Sequence, residues 1–255
     1  MEVEEYQRNY QLEQTYWWFV GVRAMVERLL PPGGKDGSLG KVLDIGCGTG
    51  ALLEQLKGRS REIWGLDNSQ EALQFCRKRG LTNLVLADAT KLPFDSDYFD
   101  LVSAIGIIEH LQDDQALLAE IWRVLKPRGV VILLTSSFPY LWSMHDIANN
   151  HQRRYYLRPL KSRIEQVGFE TLRFSHLNFL LFPLLAPALI GHRLLFGTRS
   201  AHPRRIMPTP PRLVNAWLTS VLRLESRLIR HLTFPWGVSM IGAFRKTLRS
   251  APGAP

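Results

Sequence analysis

Between residues 40 and 137 the chain keeps changing its hydrophobic period. Apolar runs of strand length, KVLDIG, EIWGLD, NLVLADA, DYFDLVSAIGI and VVILLTS, alternate with the helically spaced segments ALLEQLKG, SQEALQFCRKRG and DDQALLAEIWRVL. Ser69 and Gly80 bracket the second of these helices as N-cap and C-terminal stop. Lys126-Pro-Arg-Gly129 reads as a turn before the fifth strand, and PPGGKDGSLG as a loop before the first. Upstream, YWWFVGVRAMVERLL (16–30) has the spacing of a helix with one buried face. Strand–helix alternation of this kind builds right-handed βαβ units, and hence a parallel sheet covered on both faces. Ligands of such sheets bind at the carboxyl ends of the strands, beside the switch in strand order. The residues just after each strand therefore carry the functional question.

The first of these positions is VLDIGCGTG, residues 42–50. Gly46, Gly48 and Gly50 let the backbone turn tightly and approach a ligand closely. A plain tight turn accounts for glycines too. Gly46-Cys-Gly48-Thr-Gly50-Ala51 also satisfies the loose dinucleotide pattern, with Asp67 at the expected distance. Asp44 weighs against a dinucleotide. A carboxylate two residues before the first glycine repels a pyrophosphate and favours a cationic ligand.

With these residues in place, the sequence resembles the class I S-adenosylmethionine-dependent methyltransferases over about residues 10–175 and a terminal strand. The resemblance implies that VLDIGCGTG wraps the methionine and ribose parts of the cofactor. Asp44 would then lie near the amino acid portion, with the Gly46, Cys47, Gly48 and Gly50 backbone beside it. It also implies that Asp67, followed by Asn68, accepts hydrogen bonds from the ribose hydroxyls, and that Asp88-Ala89 meets the adenine. A carboxylate has two acceptor oxygens to offer a vicinal diol. Each aspartate alone reads as an ordinary loop or cap residue; on successive strand ends and in this order they form a pattern. Phe99-Asp100-Leu-Val102, Ile105 at the end of strand four, and Leu125–Gly129 complete it. The N-terminal YWWFVGVR is similar to a subgroup with a Trp-Trp-Phe-x-x-Arg signature, in which Trp17 would close over the sulfonium; core packing explains Trp18 equally well.

Three histidines are candidates for a catalytic base. His110 follows strand four in GIIEHLQDD, where related O-methyltransferases carry Glu-x-x-Glu-His and use a divalent metal. Gly106 replaces the first of those glutamates, so no metal is expected. His145 and His151 lie in SMHDIANNHQRRYY, after strand five. In the same loop Arg153 and Arg154 are candidates for gripping an anionic group, and Tyr155 and Tyr156 for a pocket wall. A structural hydrogen bond is the competing explanation for each histidine alone.

The charge is divided along the chain. Residues 1–150 carry a net −5 and residues 151–255 a net +14, which points the second part toward an anionic partner or a solvated basic surface. Cys47 and Cys76 are the only cysteines, which excludes a disulfide framework and fits a reducing compartment. The start, MEVEEYQ, lacks the features of a secretory signal. LRPLKSRIEQVG reads as a helix, FETLRFSHLNF and GVSMIGAFRK as strands. The resemblance makes the latter two the closing antiparallel hairpin, strands six and seven, whose connection here runs over 180–236.

That connection opens with FLLFPLLAPALIGHRLLF (179–196), which Pro183 and Pro187 interrupt and which is too short to span a membrane comfortably. A basic, Pro-rich linker follows. PRLVNAWLTSVLRLESRLIRHL then forms an amphipathic helix with one stripe of Leu213, Trp217, Val221, Leu224, Leu228 and Leu232, interspersed with Arg212, Arg223, Arg227, Arg230 and His231. A stripe of this kind lies on a membrane surface or packs on its own domain.

The expected fold is a Rossmann-like seven-stranded α/β sheet with a helical insertion between strands six and seven. It divides into an N-terminal helical cap (1–38), a core (39–179), the insertion (180–236) and a last strand with a disordered tail (237–255). The expected activity is methyl transfer from S-adenosylmethionine to a small-molecule or lipid-linked acceptor at oxygen, an anionic acceptor among them, in the cytoplasm, with peripheral membrane contact through residues 180–233. Two readings stay open: a nicotinamide-dependent oxidoreductase, and a non-catalytic membrane-surface binding module. No RNA-binding module or Asn-Pro-Pro-Tyr motif marks a nucleic-acid enzyme; strand four ends instead in Ala104-Ile-Gly-Ile107.

Overall fold

The computed structural model describes residues 3–196 and 209–248. Two helices lead the chain, α1 (Val3–Leu12) and α2 (Trp17–Leu29). The alternating region follows as β1 (Lys41–Ile45), α3 (Ala51–Lys57), β2 (Glu62–Asp67), α4 (Gln70–Lys78), β3 (Leu84–Leu86), β4 (Phe99–Ile105), α5 (Asp114–Val124) and β5 (Leu125–Ser136). The chain continues through α6 (Met144–Ala148), α7 (Leu157–Gln166), β6 (Phe169–Leu177), α8 (Phe182–Phe196), α9 (Arg212–Leu228) and β7 (Ser239–Lys246). The strands form one sheet in the order β3-β2-β1-β4-β5-β7-β6, with β7 antiparallel to both neighbours. The order reverses between β1 and β4, and the glycine loop follows β1 at that switch point.

Strand pleating separates two cores. Along β5, Val131 and Leu133 face one way and Val130, Ile132 and Leu134 the other. The first face is covered by α5 and α7 through Leu117, Ile121, Leu160 and Ile164. The second is covered by α2 and α9 through Val22, Met25, Val26, Leu218, Leu222 and Ile229. Leu222 is fully buried, a contribution of about 1.5–3 kcal/mol for a side chain of this size. Gly21 makes that contact possible, because a Cβ there would sit 2.8 Å from Leu222. The two helices are also hydrogen-bonded end to side. Tyr16 supplies no side-chain cap to α2, and Asn215 of α9 does so instead, accepting from Trp17 N at 3.0 Å and donating to Thr15 O at 2.8 Å.

Three expectations change. Lys126–Gly129 is not a turn ahead of β5 but a segment looped out within it: β4 pairs Phe99 with Leu125 and then Leu101 with Val130. Pro127 lacks an N–H for the ladder, and Arg128 adopts φ = 67°, so these residues leave the pairing without ending the strand. Pro183 and Pro187 do not interrupt α8. Pro183 occupies its first turn, and Pro187 removes a single backbone bond near the start. The apolar stripe read on α9 packs only in part: Val221 and Leu228 pack against the core, Leu213, Trp217, Leu224 and Leu232 are exposed, and Leu218, Leu222 and Ile229 provide the buried contacts. The Pro-rich linker and the expected disordered tail lie largely or wholly outside the described residues. Among those described, no helix is long and apolar enough to cross a membrane.

Candidate active site

The glycine loop is held by backbone bonds that only its bends allow. Gly46 N and Cys47 N both donate to Leu66 O of β2, at 2.7 and 3.0 Å. Gly48, at φ = 54°, turns its N–H onto Asp67 Oδ2 at 2.9 Å. Cys47 and Cys76 are free thiols, 3.9 Å apart at sulfur.

Acidic groups surround this loop. Asp44, at the end of β1, is buried and accepts from Ser103 Oγ at 2.6 Å. Burial, reinforced by the charges of Asp67 and Glu13 and only partly offset by Ser103, pushes its pKa up to about 7. Glu13, in the turn after α1, accepts from the Thr49 hydroxyl and from Arg79 at 3.0 Å; burial nevertheless raises it. Asp67 is likewise raised by burial, against hydrogen bonds from the Gly48, Ser69 and Asn68 amides. Three carboxylates strained in this way fit a cationic ligand and disfavour a pyrophosphate.

Asp44, Gly46, Cys47, Gly48, Ile105 and Trp17 line one cavity of about 790 Å³. Gly50, Asp67, Asn68, Asp88 and Ala89 are not among its lining residues. Asp67 lies directly behind the loop, with an oxygen on each of Gly48 N and Ser69 N. Asp88 is exposed and caps Thr90, while Ala89 is buried in the core. In α2 three residues separate Phe19 from Arg23, one more than in the tryptophan signature.

The same cavity collects all three candidate histidines, His110, His145 and His151. The His110 and His151 rings meet edge to face, with centroids 4.8 Å apart. His151 Nδ1 lies 2.9 Å from Asp146 Oδ1. Asp146 also receives Arg154 through Nε at 2.7 Å and through a terminal nitrogen at 3.0 Å. Burial opposes its charge, but the bonds from His151 and Arg154 outweigh burial and hold Asp146 well below the usual carboxylate range. An ionised Asp146 makes Nδ1 the donor and leaves Nε2 of neutral His151 as an acceptor. Beside them Glu109 is buried, bonded to Thr135 at 2.8 Å, and raised by burial. Among the described residues, no three His, Cys, Asp or Glu side chains are placed to hold a metal ion.

The gripping residues read from the loop fall elsewhere. Arg154 borders the cavity, but its guanidinium is committed to Asp146 and to Ser137 O. Arg153 lies outside the cavity, bonded to Gln112 O at 2.8 Å and near Asp114 at 3.6 Å. Tyr155 faces the core, donating to Asp114 at 2.9 Å, because Tyr155 and Ser137 form a bridge that turns the chain inward. Neither is a cavity wall.

The far wall of the cavity is apolar, formed by Leu185, Ala188 and Leu189 of α8 and Leu218 of α9. Asn178, directly after β6, joins this wall. It is buried, sits at φ = 65°, and its Oδ1 has no partner among the described residues. Sequence reasoning missed Asn178, Glu13 and Asp146. Only Asp146 left a signal, since Ser143-x-x-Asp146 is a capping box.

A Rossmann-like sheet with a glycine loop at its switch point, ringed by buried carboxylates, defines a class to which sequence and structural relatives point. A profile of the family described as "Methyltransferase domain" matches residues 43–133. The ubiquinone/menaquinone biosynthesis C-methyltransferase UbiE of Burkholderia mallei is 38% identical over 172 residues, covering 54% of this chain and 71% of that protein. Among solved structures, an S-adenosylmethionine-dependent methyltransferase from Thermotoga maritima shares the fold with a TM-score of 0.60 at 19% identity, over 96% of each chain. One from Mesorhizobium loti does so with a TM-score of 0.58 at 17% identity, over 92% of this chain and all of that one (100%). The chain belongs to the class I S-adenosylmethionine-dependent methyltransferases. It is an enzyme of that class, and its cofactor is S-adenosylmethionine.

Proposed function

We propose that this enzyme methylates an apolar-tailed, lipid-linked acceptor through an acidic hydroxyl, with His151 as the proton acceptor. The observation that carries this reading is the single cavity joining the acidic glycine loop, the His151–Asp146 pair and the apolar wall of the insertion. In this assignment Asp44, the Gly46–Gly48 backbone, Trp17 and Ile105 hold the cofactor. Asp67, Asn68, Gly50, Asp88 and Ala89 support its ribose and adenine side from behind or beside the loop. When bound, the cofactor supplies an already activated methyl group on sulfur. The protein then has to align the acceptor oxygen and take its proton. His151 Nε2 receives that proton, and ionised Asp146 stabilises the resulting imidazolium. His110 and His145 complete the polar end of the cavity. Asn178 Oδ1 accepts from a donor on the acceptor's ring or headgroup, while Leu185, Leu189 and Leu218 enclose its tail.

The division of labour follows the chain. The N-terminal helices α1 and α2 cap the cofactor, residues 39–179 form the core, which β7 completes, and helices α8 and α9 shield the acceptor. The acceptor's apolar tail also places the enzyme at a membrane surface. One second reading has specific support: the Burkholderia relatives are named as C-methyltransferases. A phenolate formed by His151 activates the adjacent ring carbon as well as its own oxygen, so the same base serves both outcomes.

The test is methyl transfer from radiolabelled S-adenosylmethionine to extracted lipids and to a short-chain phenol, with NMR locating the methyl. His151→Ala is expected to lower kcat by about 10²–10⁴-fold with cofactor affinity unchanged. Undiminished turnover in that variant would remove His151 as the base. Absence of methyl transfer to any hydroxyl-bearing acceptor would overturn the acceptor class.

A further inference from the structure

Helix α9 carries two apolar stripes, and among the described residues only one of them has a partner. Leu218, Leu222 and Ile229 pack against α2 and the sheet. Leu213, Trp217 and Leu224, related by helical spacings of four and seven, lie on another face and are 86%, 54% and 49% exposed. Val214 next to them is exposed as well. A soluble surface gains nothing from three large apolar groups in register around a central tryptophan. Arg212, Arg223 and Arg227, also exposed, border this stripe on the side away from the packed face. No carboxylate pairs with them among the described residues. The region has no acid to spare: beyond residue 151 the chain has only Glu165, Glu170 and Glu225. Glu165 lies beside Lys161 and Thr171, Glu170 beside Arg245, and Glu225 is buried against Leu180 N.

From this we infer that the Leu213–Trp217–Leu224 face of α9 is a docking surface for an anionic lipid bilayer. Charge decides the occupant. A stripe with uncompensated arginines along one flank matches negatively charged headgroups, with the leucines below them and tryptophan at the interface. A nucleic acid would leave the apolar stripe in water, and a second copy of the chain would bring like-charged arginines together. The face lies one residue from the cavity, since Leu218 lines the cavity while Trp217 points outward. Docking in this way sets the apolar wall of the cavity against the membrane. The position of the surface rests on the lipid-linked acceptor reading for its purpose, but not for its physics.

The experiment is co-sedimentation of the full chain with vesicles of equimolar phosphatidylglycerol and phosphatidylcholine, and with vesicles of phosphatidylcholine alone. Binding is expected to the anionic vesicles only, and to weaken with added salt. Replacing Leu213, Trp217 and Leu224 together by serine is expected to lower the partition coefficient at least tenfold. Arg223→Gln and Arg227→Gln are each expected to lower it roughly fivefold. Calorimetry with S-adenosylhomocysteine confirms that the variants are folded. Binding that survives the triple substitution overturns the inference. So does absence of vesicle binding, with or without a dimer that the same substitutions dissociate in light scattering. Turnover of a short-chain acceptor free in solution reads the proposed reaction separately, so failure of docking and failure of the reaction are told apart.

Discussion

Asp44→Asn gives the most direct reading of how the cofactor loop is built. The buried carboxylate titrates at about 7, against 3.8 for an unperturbed aspartate, a gap of about 3 units. The folded state therefore holds this proton more tightly than the unfolded chain does. Its stabilising contribution is complete below pH 4 and is lost as the pH rises through 7, where ionisation costs about 4 kcal/mol. Asparagine keeps the shape and still accepts the Ser103 hydrogen bond, but it never ionises. Without cofactor, the variant and the wild type should be nearly equal in stability at pH 4. The variant should then gain progressively, reaching as much as about 4 kcal/mol at pH 8.

Urea unfolding of both proteins across this range isolates the effect, because the lowered groups such as Asp146 and Glu120 are common to both and cancel in the difference. Cofactor binding should move the opposite way. A cationic ligand favours the ionised carboxylate, so the wild type should bind S-adenosylmethionine more tightly as pH rises through 7 and should release a proton on binding. Asp44→Asn should lose about tenfold or more in affinity, the scale of one charge-assisted hydrogen bond. A stability difference that stays flat between pH 4 and 8 would refute the electrostatic account. An unchanged affinity would show that Asp44 does not face the cofactor's charge.

Two further substitutions probe the supports of the site. Asp146→Asn leaves Arg154 buried against a neutral partner and removes the charge behind His151; it should destabilise the fold by about 3–5 kcal/mol in urea unfolding and depress kcat at every pH. Gly21→Ala should cost about 1–3 kcal/mol by crowding Leu222, and combining it with Leu222→Ala should cost less than the sum of the two changes, a coupling of at least about 0.5 kcal/mol in a double-mutant cycle if α2 and α9 pack as described.

What the sequence revealed follows the range of each interaction. The alternating strands and helices were legible because period 2 and period 3.6 are written in neighbouring residues, and Asp44 because its spacing from Gly46 is local. Glu13 reaches Thr49 across a separation of 36 residues, which no local pattern records. Arg154 read as a grip and Tyr155 as a pocket wall because adjacency in a loop carries no direction. The direction of Arg154 is set by Asp146, eight positions earlier, and that of Tyr155 by Asp114. On α9 two apolar stripes share one helix, and the hydrophobic period cannot choose between them. The choice is made by Gly21, on another helix, which admits Leu222 and thereby turns Leu213 and Trp217 outward.

The place of the insertion is itself explained by strand direction. β7 runs antiparallel to β5 and to β6, so β6 runs with the parallel strands. β6 therefore ends, at Leu177, on the same edge of the sheet where β1 delivers the glycine loop and β4 delivers Glu109 and His110. β7 begins on that edge at Ser239, which lines the cavity, as does Asn178 on the other side of the insertion. A chain that leaves the sheet after β6 and returns at β7 has both ends fixed at the reacting edge. Among the described residues of this connection, Leu185, Ala188, Leu189, Pro210 and Leu218 line the cavity. Residues added in any of the loops at the opposite edge would be remote from it. If the apolar wall encloses the acceptor as proposed, variation in α8 and α9 changes which acceptor is enclosed while leaving the cofactor loop untouched. Exchange of residues 180–236 between members of the family should therefore transfer acceptor preference, measured as the ratio of kcat/KM for two acceptors, without altering affinity for S-adenosylhomocysteine.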